Sequence, residues 1–324
     1  LHAEVAGRRL LTRAEIASDR RTLTLFYLEP IPGASRVTVR LDGTGLRDTQ
    51  GFDLDANGDA VPGGRRVLTF STLNVHAVGE TAVVGHVFAS EPNPDGSNRP
   101  LAGVTITVDG QEERLRTTTD ATGFFRLQPA PGGRFFVHVD GRTSSTSQWP
   151  GGAYYPVVGK AWDAVPGRTN NLAGGTGEIF LPLVPAQALQ PVSPSTTTRV
   201  TFSPETLAAR PDLASVELVV PPNALFANDG TRGGRVGIAP VPPDRLPEPL
   251  PPGLNLPLVI TIQTDGAQNF DRPVPVRFPN LPDPVTGALV PPGGRTVLWS
   301  FNHDTGRWEP QGTATVTPDG RFAV

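Results

Sequence analysis

The apolar residues of this chain come in short alternating runs, each cut off by Gly or Pro before a helical period could repeat over several turns. RLRTTTDATGFFRLQPAPGGRFFVHVDG, residues 114–141, shows the pattern: three runs of period two, separated by a DATG turn and a PGG turn. Successive side chains of a strand point to opposite faces, so this period loads one face of a sheet and would scatter apolar groups around a helix. Gly and Pro, 36 of each in 324 residues, approach the content of a low-complexity chain. Yet 37% of residues are hydrophobic and sit in the runs, as in a folded β chain with many turns. The expected fold is all-β with almost no helix, over the two or three domains that this length implies.

Composition excludes several functions. The net charge is −3 and the sequence pI about 6.0, which leaves no electrostatic footprint for nucleic acid. Cysteine is absent, and with it any disulfide framework, thiolate zinc site or cysteine nucleophile. Apolar runs such as LVITI at 258–262 are far too short to span a bilayer, so no membrane insertion is expected. The opening LHAEVAGRRL has neither an initiator Met nor a signal-peptide pattern, which reads as a processed product or fragment whose export signal would lie outside it. Among the 28 basic residues only Lys160 is a lysine.

Three blocks follow one another. In residues 1–76, TLTLFYL (22–28), RVTVRL (36–41) and RRVLTFSTL (65–73) read as strands, with a PIPG turn after the first and the long loop 43–64 before the last. VTVRLDGTGLRDTQG, the acidic loop and LTFST together resemble part of a bacterial immunoglobulin-like domain. Residues 80–188 carry G-x-V (85–87), PLAGVTITV (100–108), TDATGFFRL (119–127) and FFVHVDG. This set resembles the carboxypeptidase regulatory-like, or transthyretin-like, module, which implies a small sandwich that supports other domains without catalysing anything. The segment 148–172 reads as an extension of that module.

In residues 196–324, VELVVPPNAL, the prolines of 249–254, PVPVRFPNL and VLWSFNHDTGRWEP resemble the β-sandwich of ankyrins, netrin receptors and zonula occludens proteins. The order of the blocks, with APVPPDRLPEPLPPGLN and SFNHDTGRWEPQGTATVTPDGR, is similar to the region preceding YD repeats in RHS-type, teneurin-like bacterial surface proteins. The YD repeats themselves are missing here. The resemblances imply a tandem array of three β-sandwich domains on a bacterial surface or outside the cell.

DLDANGDAVPGG, residues 53–64, is the main candidate metal site. Asp53, Asp55, Asn57 and Asp59 fall at alternate positions with Gly58 among them, as short oxygen ligands do in a calcium loop. The twelfth position is Gly64 rather than Glu, and no amphipathic helix flanks the loop, which excludes a helix-loop-helix calcium sensor. Calcium is the expected ion, bound weakly as a structural staple; the competing reading is an Asx-turn loop.

No catalytic constellation stands out, and no enzymatic activity is expected. His2, His76, His86, His138 and His303 show no H-x-H or H-x₃-H spacing; His86 and His138 lie on expected strands, where a metal pair across the sheet competes with the favoured reading of solvent-facing or hydrogen-bonded core histidines. No G-x-S-x-G elbow and no phosphate-binding loop are present. Paired carboxylates remain open, since they can be distant in sequence. Some relatives of the ankyrin-type sandwich cleave themselves before the Ser of a His-Phe-Ser sequence. In SFNHD (300–304) the order is different, which leaves the nucleophile unaligned with its base. Lys160 is the single possible donor for an isopeptide crosslink and sits in a loop-rich stretch.

Trp149, Tyr154, Tyr155 and Trp162 gather within fourteen residues. They form either a platform for sugar rings or packing against the sandwich, and the YYPVVG run favours packing. The expected function is a non-catalytic extracellular structural or adhesive array, such as a stalk, a surface-assembly subunit or a filament; the alternative is a carbohydrate-binding accessory of a larger secreted protein. An immunoglobulin-like sandwich needs about seven strands, and block one supplies about five. Its completion is expected from outside, by a flanking part of a longer chain or by another copy of itself.

Overall fold

A computed structural model describes all residues of the chain except 18, 19, 74, 172–176, 228 and 267, so Leu172, the last residue of the expected extension, lies outside it. The chain is all-β, with 43% of residues in strands and 4% in helix. Every strand ladder stays inside one of three stretches, 2–71, 77–181 and 190–323.

The first stretch holds β1 (His2–Val5), β2 (Arg8–Arg9), β3 (Thr12–Ile16) and β4 (Leu23–Tyr27). After these come β5 (Arg36–Asp42) and β6 (Arg65–Ser71). A four-stranded sheet in the order β2-β1-β5-β6 faces the β3–β4 hairpin. Ala3, Leu10 and Val37 are buried between them, against Leu25 and Tyr27 of the hairpin. Phe26, between those two, lies on the hairpin's other face, as the two-residue period of a strand requires.

The second stretch begins with β7 (Ala77–Val78), β8 (Ala82–Ala89), β9 (Thr105–Val108), β10 (Arg116–Thr118) and β11 (Phe124–Leu127). It continues with β12 (Ala130–Pro131), β13 (Gly133–Asp140), β14 (Val157–Ala164), β15 (Thr169–Asn171) and β16 (Glu178–Leu181). One sheet runs β10-β9-β13-β14; the other is β11-β8, with β15 and β16 pairing in turn along the far side of β8. These two are parallel to β8, whereas the other named pairs are antiparallel. Val83, Val87, Phe125, Leu127, Ile179 and Leu181 from one sheet meet Ile106, Val108, Phe135, Val137, Val139 and Trp162 from the other. In β8 and β13 alternate residues are buried, which is the pattern their sequences carry.

Lys160 is not in a loop. Val157–Ala164 is an eight-residue strand paired with β13 along its whole length, so the expected extension supplies an edge strand of the sandwich. The residues VVGKAWDA alternate poorly because several neighbours on both faces of β14 are buried.

The third stretch starts with β17 (Gln190–Pro191), β18 (Thr198–Val200), the helix α1 (Pro204–Ala209), β19 (Glu217–Val220), β20 (Leu225–Ala227) and β21 (Arg235–Val241). It ends with β22 (Val259–Thr264), β23 (Gln268–Phe270), β24 (Val276–Pro279), β25 (Arg295–Asn302), β26 (Arg307–Thr315) and β27 (Phe322–Ala323). Its sheets run β17-β21-β22 and β18-β19-β24-β27, beside the pairs β20–β23 and β25–β26. Val200, Leu218, Val220, Leu225 and Val236 form the largest core here. The six residues of α1 begin where Ser203 accepts the Thr206 N–H and Pro204 takes the first turn, a start signal that the sequence displays. No helix among the described residues is long and apolar enough to cross a membrane.

Candidate functional site

The acidic loop between β5 and β6 closes on its own backbone. The Asp55 carboxylate accepts the N–H groups of Gly58 (2.7 Å), Asp59 (3.2 Å) and Ala60 (2.8 Å). Desolvation pushes its carboxyl up, but these donors and the Asn57 N–H outweigh that and hold it below the ordinary Asp value. Asn57 Nδ2 donates to Asp59 Oδ2 (2.8 Å), and Asp59 Oδ1 accepts the Val61 N–H (2.9 Å). Asp53 forms an ion pair with Arg47 instead (3.1 Å). Asp55, Asn57 and Asp59 are therefore brought together, and Asp53 is held by a cation. Gly64 has a φ of +76°, and a Cβ there would run into the Asn57 side chain, so Gly is required where the loop rejoins the sheet.

The four aromatic residues divide between two cores. Trp162 stacks on Phe125 (5.9 Å between centroids) and meets Phe135 edge-on (6.2 Å), inside the second sandwich. Tyr155, 1% exposed, is in the same core, and its hydroxyl donates to Glu91. Tyr154 packs with Val184 and Ala188 in a separate cluster, and burial pushes its hydroxyl up to about 12. Trp149 lies edge-on to Tyr154 (4.6 Å) with the Arg142 guanidinium over its ring (5.5 Å). Three of the four rings are thus core residues, and only Trp149 is half-open to solvent.

His86 and His138 stand in different sheets and do not form a pair. His86 packs on Phe88 and Phe124. His138 Nε2 instead meets Asp109 Oδ1 at 3.0 Å, and with Glu112 these residues place ligand atoms within 4.8 Å of one another. The register explains the meeting: Thr107 is directly opposite His138, so Asp109 lies diagonally across on the same face. An imidazole with two carboxylates is a donor set for zinc or another first-row divalent ion. Each donor already has a protein partner, since Glu112 Oε1 accepts the Gly110 N–H (2.8 Å). The sequence signal for this trio was an acidic turn, VDGQEE, next to a strand that pairs with the one bearing His138; only the register could join them.

The SFNHD segment forms the end of β25 and the hairpin tip. Ser300 Oγ lies 3.5 Å from the Phe301 carbonyl, while His303 contacts the edge of β14. His303 Nδ1 approaches the Gly159 carbonyl (2.5 Å), and the Ala161 N–H donates to the His303 carbonyl (3.0 Å). Arg134 donates to the Asp304 carbonyl (2.9 Å). Beside this tip Lys160 forms an ion pair with Glu248, and Trp308 Nε1 donates to the Glu248 carbonyl (3.1 Å). Arg245 reaches Asn98 (2.9 Å) and lies over the Phe180 ring (5.4 Å).

A second junction ties the first stretch to the third. Phe26 meets Phe226 edge-on at 5.2 Å. Arg232 lies over Phe226 and bonds both Glu15 (2.8 Å) and Asp271 (2.6 Å). Ion pairs, aromatic contacts and hydrogen bonds thus join the first and second stretches to the third. No protein-family model matches this chain, and no curated protein does.

Proposed function

We propose that the chain is a non-catalytic structural array of β-sandwich domains that works outside the cell or at its surface, as a spacer or assembly subunit. The observation that carries this reading is the pair of junctions. The single lysine, the hairpin tip 302–306 and Arg245 bind the second stretch to the third, and Phe26 with Arg232 binds the first to the third. Arginine forks, aromatic edges and a largely buried ion pair hold one geometry, whereas domains joined only by linkers move independently by default.

Scanning calorimetry with limited proteolysis tests the proposal. A rigid array melts in one transition and is cut only at surface loops. Three well-separated transitions, with cleavage near residues 77 and 190, would replace the array by loosely tethered domains. A glycan array with wild-type chain and Trp149→Ala separates this reading from carbohydrate binding: specific glycan binding lost in the variant would favour the latter.

A further inference from the structure

Two of the long edge strands are treated differently. The outer edge of β14 is covered, because the hairpin tip at His303 takes the Gly159 carbonyl and the Ala161 N–H. The outer edge of β6 is bare. β6 ends the order β2-β1-β5-β6, all seven of its residues are exposed, and among the described residues no strand pairs with its far side. Val67 is 51% exposed, Leu68 52% and Phe70 43%.

The register of β5 and β6 fixes which groups face outward. The Thr72 N–H bonds the Ser35 carbonyl and the Gly43 N–H bonds the Gly64 carbonyl, at the two ends of the ladder. Hydrogen-bonded pairs alternate in an antiparallel ladder, so Arg66, Leu68 and Phe70 bond inward. The N–H and C=O groups of Arg65, Val67, Thr69 and Ser71 therefore point away from the sheet. Leu68 and Phe70 are opposite Val39 and Val37, so their side chains extend the sheet's core face past the cover that the β3–β4 hairpin provides.

We infer that β6 is a pairing surface for a second copy of this chain, joined antiparallel about a two-fold axis through Leu68. In that register Val67 faces Thr69 of the second copy and Arg65 faces Ser71, which satisfies about eight outward backbone groups on each copy through hydrogen-bonded pairs. Leu68 then faces Leu68, and Arg66 lies beside Phe70, where a guanidinium and a ring attract each other. The self-complementary pairing of Leu68 with Leu68 and of Arg66 with Phe70 selects a second copy, and the charges choose the direction. β6 carries two arginines at one end and no acid, so a parallel in-register pair would stack Arg on Arg. The antiparallel pair moves the Arg66 side chains roughly 13 Å apart, beyond the screening length of about 8 Å at physiological salt. Arg65 is already paired with Asp42 (2.9 Å). The axis keeps both core faces on one side, so Leu68 and Phe70 of the two copies form one apolar strip across an eight-stranded sheet. The contact is isologous and closes as a dimer. It deepens the structural reading, and a monomeric chain would remove the partner while leaving the array intact.

The absence of cysteine gives a direct test on the full chain. In a non-hydrogen-bonded pair the Cα atoms are about 4.5 Å apart, within the span of a disulfide. Leu68→Cys should form a disulfide-linked dimer on mild oxidation at tens of micromolar, and Phe70→Cys, which faces Arg66, should not. Val67→Pro removes one outward N–H that the folded sheet does not use, and should convert a dimer to a monomer by light scattering with the far-UV spectrum unchanged. A wild-type chain that is monomeric at these concentrations overturns the inference. So does equal crosslinking of the two cysteine variants, or a Val67→Pro chain that still dimerises. Binding of an unrelated β-strand peptide by monomeric wild-type chain would assign the edge to a different partner and likewise overturn it.

Discussion

Lys160 and Glu248 form an ion pair across 88 residues of sequence, with the lysine side chain 9% exposed and the carboxylate 18%. It uses the one lysine of the sequence, placed where β14 meets the segment leading to β22. A largely buried pair contributes little net stability by itself, but removing one partner strands the other charge away from water. Glu248→Ala should therefore destabilise the chain by about 3 kcal/mol, and the double change Lys160→Met with Glu248→Leu should recover most of that. Urea unfolding of the three chains gives the answer; equal losses in the single and double variants would mean the pair has no coupling.

The acidic loop supports a sharper test of calcium. Asp55 is held by three backbone N–H groups of its own loop. Asp55→Ala should lower the melting temperature in chelator as much as in millimolar calcium, because its bonds are to the loop itself. If calcium raises the wild-type melting temperature and Asp55→Ala removes that rise, the loop is a cation site despite its internal bonds.

Trp162 and Trp149 should part company on substitution. Trp162→Ala leaves a void between Phe125 and Phe135 and should cost about 3–5 kcal/mol. Trp149→Ala loses an edge contact with Tyr154 and a stacked guanidinium, both near the surface, and should cost less than half as much. Similar melting temperatures for the two variants would contradict the burial pattern.

Much of this architecture is legible in the sequence because strands advertise themselves locally. AVVGHVFA and GRFFVHVD alternate in sequence and alternate in burial. The junctions are not legible, since nothing near Lys160 names Glu248 and nothing near Glu15 names Arg232. The trio of Asp109, Glu112 and His138 depends on strand register, which single-sequence alternation leaves open. VVGKAWDA hides as a strand because neighbours bury both of its faces and erase the period. The aromatic group 149–162 is readable as a group, but the division into two cores follows from strand pairing at Tyr154 and Val184.

Acid should loosen the fold. Several carboxyls are held below their ordinary values of 4.5 for Glu and 3.8 for Asp. His2 and Arg40 hold Glu4, the Leu11 N–H and Arg8 hold Glu29, and Thr44 with Arg65 holds Asp42. Asn302 and Thr305 do the same for Glu309. A lowered folded value means that the unfolded chain binds more protons, so this stabilisation is complete above the ordinary values and is lost as pH falls through the folded ones. The melting temperature should change little from these groups above about pH 6 and drop steadily below about pH 4.5. A melting temperature that rises on acidification from pH 5 to pH 3 would reverse the sign and refute the assignment.

The last prediction concerns Arg232, which links the first stretch to the third. Its guanidinium lies between Glu15 of β3 and Asp271, whose side chain is 1% exposed, and covers the ring of Phe226 that Phe26 meets edge-on. Arg232→Met keeps the aliphatic stem over the ring and deletes both ion pairs. Asp271 still receives Arg272 Nε at 3.1 Å, so the cost should fall toward the lower end of the roughly 3–5 kcal/mol of a broken buried pair. Glu15 is a third exposed, and Glu15→Gln should cost less than about 1 kcal/mol. The loss should be spatially uneven. With both ion pairs gone, the β3–β4 hairpin keeps its packing toward Leu10 and Val37, while the face bearing Phe26 is held more weakly, by the ring contact with Phe226 and the Arg13 guanidinium. Amide exchange should therefore accelerate in Thr12–Ile16 and Leu23–Tyr27 of Arg232→Met and stay unchanged in Gly133–Asp140. Exchange that quickens equally in both places would show that Arg232 stabilises the chain as a whole and does not dock the first stretch onto the third.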